Sequence, residues 1–271
     1  SFIVGRCIFE SDREGNQRMN WIGLNTLIKR EVGRFFSVYR QTVLPGLISS
    51  GLYIVIFGFT LEQRISEIQG VPYTLFILPG LIMMNTLTNA TANTSSSMLQ
   101  MKLLQQLPDL LTAPLSGLEI SLAYIIGGTV RGVVNGILVL ILGVFLTDLT
   151  VADPLGTIVF IFLVSWAFAS MGLILGQMAE SWDQLAMMQN FFLTPLSFLG
   201  GIFYSIKMLP EWAQSLSFIN PIYYMINGIR YTILGISDSS FSFSFWMALI
   251  LTVLFTTIAI LLMQSGKKIK Q

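Results

Sequence analysis

No histidine occurs in the sequence, and its single cysteine is Cys7. An internal disulfide, a Cys/His zinc site and any histidine-based catalytic triad are thereby excluded. Charge is scarce too: 11% of the 271 residues are Asp, Glu, Lys or Arg, against roughly a quarter in a soluble domain. The net charge of +1 gives no global field for nucleic acid. No GxxxxGK[ST] phosphate loop is present, so the chain offers no cofactor or metal site, and energy for active transport would come from another chain. No nucleophile, base and oxyanion donors stand at a workable spacing. No secretory signal is expected, since the first long apolar run starts after about forty residues.

What is abundant is apolar sequence, 54% of the chain, and it comes in runs long enough to cross a bilayer. A span needs about 20 apolar residues. Such runs cover 41–60, 73–95, 118–146, 155–178, 184–204 and 245–263. The expected fold class is therefore all-α integral membrane, with six transmembrane helices in one domain over 19–271. Residues 1–18 are expected to be a leader outside that domain, with Met19 a natural start.

Before the first span, Trp21, Leu24, Ile28, Val32, Phe35 and Tyr39 recur at helical spacing, with Lys29, Arg30 and Arg34 on another face. That pattern predicts an amphipathic interfacial helix. Pro45 and Gly46 should bend or begin the first span. Asn85, Asn89 and Asn93 recur every fourth residue and share one helix face. Arg131 is the basic residue placed well inside a span, and no acid is expected at its depth. An intramembrane charge is a functional candidate by default. Arg131 and the asparagine face are expected either to line a polar route or to bond the helices together. The connector 98–117 is semi-polar and broken; Pro108 and Asp109 suit a short helix's first turn, and Ala113-Pro114 should end it.

The stretch LTPLSFLGGIFYSIKMLPEWAQSLSFINPIYYMINGIRY, residues 193–231, breaks at Gly200-Gly201 and again at Pro210 and Asn220-Pro221. Short apolar pieces after a full run predict re-entrant or short helices between spans five and six. Phe191, Phe192, Phe203, Tyr204, Trp212, Tyr223 and Tyr224 are expected near one membrane face, as an aromatic belt or as an outer gate. Arg230 would hold the re-entrant hairpin or meet lipid headgroups. Lys and Arg are concentrated in the N-terminal segment, Lys102 and the tail Lys267, Lys268, Lys270. By the positive-inside rule both termini are expected in the cytoplasm.

The elements TPL, LGG.FYS, LP and NP.YYMI.G.RY in this stretch resemble the signature block of the ABC-2 class of ABC-transporter permeases, in particular its small YadH/NodJ-like bacterial members. The likeness extends more weakly from about Trp21 to the C-terminus. It implies a permease subunit of an ATP-driven exporter in a bacterial inner membrane. Two permease copies, expected as a homodimer, would associate with two ABC ATPase subunits that bind ATP and Mg2+. The cargo class would be a glycan, a lipid-linked or an amphipathic molecule. By the same resemblance Leu107, Asp109, Leu110, Leu111 and Pro114 would form the coupling helix against the ATPase, with Glu180 and Asp183 adding a second contact. A channel or secondary transporter and a non-transporting scaffold stay open as alternatives.

Overall fold

The computed structural model describes residues 19–62, 64 and 67–265. The expected leader over 1–18 and the tail lysines Lys267, Lys268 and Lys270 lie outside the described residues.

Helix α1 (Trp21–Ser37) starts at Asn20, whose side chain accepts the Gly23 N–H at 3.0 Å. Its buried stripe is Leu24, Leu27, Glu31 and Phe35. That stripe is rotated from the expected apolar face. Trp21 is 69% exposed, and an acid occupies the middle of the stripe. The reason is electrostatic: Glu31 is drawn inward by partners described below, and Leu27 comes with it. A break at Val38 leads into α2 (Tyr39–Tyr53), which contains Pro45 and continues through a π-helical turn (Ile54–Phe59) and a last α turn (Thr60–Glu62). Pro45 thus lies inside the helix instead of starting it. A two-stranded hairpin follows, β1 (Glu67–Ile68) and β2 (Val71–Pro72), turning at Gln69 and Gly70, both at positive φ.

Helix α3 (Tyr73–Leu103) is the axis of the bundle, buried almost all round. Its neighbours are α5 (Gly117–Leu146) and α6 (Pro154–Met178). Small residues set the α3–α6 distance. A Cβ at Gly172 would stand 2.4 Å from the Thr91 carbonyl oxygen, and one at Gly176 2.7 Å from that of Ser95. Thr94 Oγ1 crosses the same seam to donate to the Ala169 carbonyl at 2.8 Å. Without water to expel, helices in a membrane associate through this kind of close packing. Gly172→Ala is therefore expected to destabilise the chain by about 3 kcal/mol, read as a lower thermal midpoint in detergent. Gly33→Ala, where nothing lies within 4 Å of the added carbon, should be near neutral.

Between α3 and α5 lies the short α4 (Leu107–Thr112), with Pro108 and Asp109 in its first turn and Ala113 extended before Pro114, as the sequence indicated. Helix α5 opens with a capping box in which Ser116 and Glu119 exchange hydrogen bonds. The other Glu119 oxygen accepts the Asn20 N–H, pinning the start of α1 to the start of α5. After α6 come α7 (Trp182–Leu199), α8 (Glu211–Ile219), α9 (Pro221–Leu234) and α10 (Phe241–Ser265).

Five helical stretches among the described residues are long and apolar enough to cross a membrane: Tyr39–Glu62, Tyr73–Leu103, Gly117–Leu146, Pro154–Met178 and Phe241–Ser265. The fifth expected span, 184–204, corresponds to α7, whose 18 residues extend roughly 27 Å. Asp183, Gln184, Gln189 and Asn190 make its first half polar, so it falls short of the other five in apolar character. Helices α8 and α9 are the short helices expected before the last span.

The order of the helices defines two ends. One end gathers the start of α1, α4, and the turn from α6 to α7. The other carries the hairpin, α8, α9 and the loop before α10.

Candidate functional site

Two polar regions interrupt the apolar bundle. The first runs along α3, beginning at α1. Glu31 is buried on α1, and Arg30 Nη2 reaches its Oε1 at 3.0 Å. Arg34 Nε lies 3.6 Å from Oε2, which also accepts the Ser97 hydroxyl at 2.6 Å. Arg30 in addition donates to the Tyr124 hydroxyl at 3.1 Å. Burial alone would lower the Arg30 guanidinium; the neighbouring Tyr124 and the hydrogen-bonded Glu31 reverse this and hold it above its ordinary value. Gly127 on α5 permits the approach, since a Cβ there would come within 2.7 Å of Glu31 Cβ.

The asparagine face takes over from Arg34. Arg34 Nη2 donates to both the carbonyl and the side-chain oxygen of Asn93, at 2.8 and 3.1 Å. One turn along, about 6 Å up the axis, Asn89 Oδ1 accepts from Nε and Nη2 of Arg131 at 3.2 and 3.1 Å. A further turn on, Asn85 donates to Ser50 on α2 at 2.6 Å. Gly46 leaves room for this, because a Cβ there would stand 2.5 Å from Asn85 Oδ1. The structure therefore brings Arg131 to Asn89, and gives Asn85 and Asn93 to α2 and α1. No carboxylate lies within ion-pair distance of Arg131 among the described residues. A cavity of about 360 Å³ opens beside Arg131 between α2 and α3, with Gln41, Thr42, Ser49, Asn85 and Thr88 on its wall. Arg131 and Asn89 sit near the middle of two of the longest helices, so this polarity is deep in the bundle.

The second region is the broken stretch. Helix α7 stops inside the bundle: Ile202 packs on Gly80, two turns into α3, where a Cβ would meet Ile202 Cα at 2.8 Å. Non-helical backbone at that depth needs substitute partners, and side chains supply them. Arg230 Nη2 donates to the Gly201 carbonyl at 2.7 Å, and the Tyr73 hydroxyl to that of Phe203 at 3.0 Å. Tyr204 reaches the Phe198 carbonyl at 2.8 Å, Ser217 that of Leu199 at 3.0 Å, and Asn220 that of Leu196 at 2.6 Å. Gly201 itself sits at φ +80, a conformation that favours glycine. Gly228 lies against the Phe160 ring, with no room for a Cβ.

Arg230 is wholly buried, its guanidinium 4.0 Å from the centre of the Phe76 ring and its Nη1 3.9 Å from Asp238 Oδ2. It holds the break, as one of its two expected roles, and is out of reach of lipid headgroups. Asp238 also accepts from Ser205 at 2.8 Å and from Gln69 of the hairpin, with Lys207 Nζ at 3.8 Å. The aromatics divide. Tyr223 and Tyr224 are buried, so neither is a belt residue. Phe203 joins Tyr53, Phe57 and Phe198 in a ring cluster with centroids 5.3 to 5.9 Å away. Phe191, Phe192 and Trp212 are exposed, as a belt requires.

The connector residues divide as well. Leu107 and Leu110 are buried in the bundle, because their i, i+3 spacing puts both on the inner face of α4. As direct contacts for another protein they are corrected. Asp109 and Pro114 on the same connector are exposed, as are Glu180 and Asp183 at the same end; the Leu111 side chain lies outside the described residues. A second cavity of about 350 Å³ between α1 and α4 is walled by Arg30, Gln106 and Asp109. Sequence reasoning missed Glu31 and Asp238. An acid between Arg30 and Arg34 was a readable signal for the first. Nothing local marks the second, which meets Arg230 only through the loop that follows α9.

The model of the ABC-2 type transporter family matches residues 23–234. The chain belongs to that family. It is thus a permease component of an ABC-2 type transporter, and the matched region includes both polar regions apart from Asp238. Among ABC-2 relatives, the inner membrane transport permease YadH of Escherichia coli K12 is 37% identical over 250 residues, covering 92% of this chain and 98% of the relative. Nodulation protein J of Sinorhizobium fredii NGR234 is 25% identical over 174 residues, 64% of this chain and 66% of that protein. Nodulation protein J of Rhizobium leguminosarum bv. viciae is 25% identical over 195 residues.

Proposed function

We propose that the chain is the permease subunit of an ATP-driven exporter in a bacterial inner membrane, moving a glycan, lipid-linked or amphipathic cargo. ATP and Mg2+ would be bound by a separate ABC ATPase, present in two copies, and a second permease copy would complete the path. The observation that carries this reading is the polar face beside the middle of the long helices α3 and α5. Gln41, Ser49 and Thr88 are exposed on the outer surface of the chain, beside the half-buried Arg131. Against lipid such a face is costly; against a second copy, or a wet route between two copies, it is not. The residues proposed to line that route are Asn85, Asn89 and Arg131, with Asn93, the third of the asparagine face, buried behind them on Arg34. Phe203 and Tyr204, at the break, would close its outer end, with Tyr223, Tyr224 and Arg230 behind them as supports.

The end carrying α4 would face the cytoplasm, which places the basic α1 and Lys102 on the side that the charge rule assigns them. Asp109 on α4 and Pro114 just after it would meet the ATPase, with Glu180 and Asp183 as a second contact. Leu107 and Leu110 would carry the movement inward through their core packing. That the relative YadH is an inner membrane transport permease supports the inner-membrane assignment.

A thiol at position 49 tests the wet face. In a Cys7→Ser background, Ser49→Cys is expected to react with a charged, water-soluble thiol reagent at least ten times faster than Ile48→Cys, which neighbours it on the apolar exposed side of α2. Equal, slow labelling of both would contradict a water-accessible route.

A further inference from the structure

We propose that the cleft between α2, α3 and α5 binds the oxyanion headgroup of an amphiphile, with Arg131 as the residue that selects for negative charge. As a substrate site this rests on the permease reading above; as a binding site it stands by itself.

Charge is the first argument. The polar track holds three cations, Arg30, Arg34 and Arg131, and one acid. Glu31 is fully engaged by Arg30, Arg34 and Ser97, so Arg131 is left without a counter-charge among the described residues. The second argument is hydrogen bonding. A guanidinium has five N–H donors in a fork that matches an oxyanion. Arg131 directs Nε and Nη2 at one neutral acceptor, Asn89 Oδ1. Its Nη1 has no protein partner among the described residues, and the side chain borders the cavity. Third, the other polar walls of the cavity are hydroxyls and amides, and no carboxylate is among them. They can donate to an anion and do not repel it, whereas a cationic group would be repelled by Arg131 with no acid on the wall to offset it.

Size and surroundings point to a headgroup. A cavity of about 360 Å³ is at the small end of ligand sites, enough for a phosphate, sulfate or carboxylate with its immediate linkage. Leu81, Met84 and Tyr53 also line it. Leu44, Ile48 and Leu52 are exposed along the neighbouring surface of α2. An apolar tail attached to the headgroup would lie there, at the depth lipid chains occupy.

The test uses the full chain, with whatever subunits co-purify, in neutral detergent. The probes are fluorescent phosphatidic acid and phosphatidylcholine of the same chain length. The wild type is expected to bind the phosphatidic acid at least tenfold more tightly. Arg131→Gln should reduce that preference to within twofold, while Arg131→Lys keeps most of it. Ser49→Asp leaves Arg131 in place and adds an acid to the cavity wall; it should abolish the preference too, and covers the case in which Arg131→Gln does not fold. Inorganic phosphate at 10 mM should displace little of the probe.

No wild-type preference, or a preference unchanged in both Arg131→Gln and Ser49→Asp, would overturn the site. Full displacement by inorganic phosphate would overturn the amphiphile in favour of a free anion. An ATPase subunit scored in the same preparations separates this inference from the permease reading. Preference without an ATPase leaves the binding site standing and removes its transport role. An ATPase without preference removes the site alone.

Discussion

Replacing Arg230 by Met is expected to lower the stability of the chain by about 3 kcal/mol or more, seen as a large fall in thermal midpoint in detergent. Arg230 does three things at once. It donates to the Gly201 carbonyl at the break after α7, covers the Phe76 ring, and faces buried Asp238. Met would restore some of the packing on Phe76 but no charge and no donor. Removing one partner of a buried ion pair costs about 3–5 kcal/mol, because the remaining charge is left uncompensated. Here Lys207, Ser205 and Gln69 still attend Asp238, which places the expectation at the lower end. The double change Arg230→Met with Asp238→Asn should recover part of the loss, since it removes the stranded acid as well. Full wild-type stability in Arg230→Met would contradict the role assigned to this residue.

Asp109→Lys is expected to leave the fold intact and to reduce recovery of a bound ATPase at least tenfold, which corresponds to about 1.4 kcal/mol. Asp109 is exposed on α4, so its reversal should not disturb the bundle. Reversing a charge at a docking surface places like charges together, which costs more than deleting a contact. Glu180→Lys and Asp183→Lys, also exposed, should have smaller effects. The readouts are the amount of ATPase recovered with each variant and its thermal midpoint. Undiminished ATPase recovery with Asp109→Lys would remove α4 from the docking surface.

The sequence was most legible where one local cause decides the structure. Apolar runs placed the long helices. Pro108 and Pro114 bounded α4, and Gly200-Gly201 marked the break. It was less legible where a distant partner decides. From its periodicity α1 read as a helix with a basic outer face; in the fold, Glu31 turns that helix so that Arg30 and Arg34 reach Tyr124 and Asn93. Arg230 read either as a hold on the re-entrant hairpin or as a contact for lipid headgroups, and the choice between them rests on Asp238, from the loop after α9, which meets it in the buried interior. The asparagine spacing correctly put three residues on one face of α3. Which helix each would meet was not in that spacing: Asn93 goes to α1, Asn89 to α5 and Asn85 to α2. Leu107 and Leu110 show the limit of transferring a role from a resemblance, since their burial leaves the exposed side of α4 to Asp109.

The most direct test of the central claim is to isolate the chain from its native membrane in mild detergent and identify the chains that come with it by mass spectrometry. A permease subunit should bring a stoichiometric partner that carries a Walker A sequence. Recovery of the chain alone or with non-ATPase partners, in a preparation where a known ABC exporter keeps its ATPase, would contradict the account.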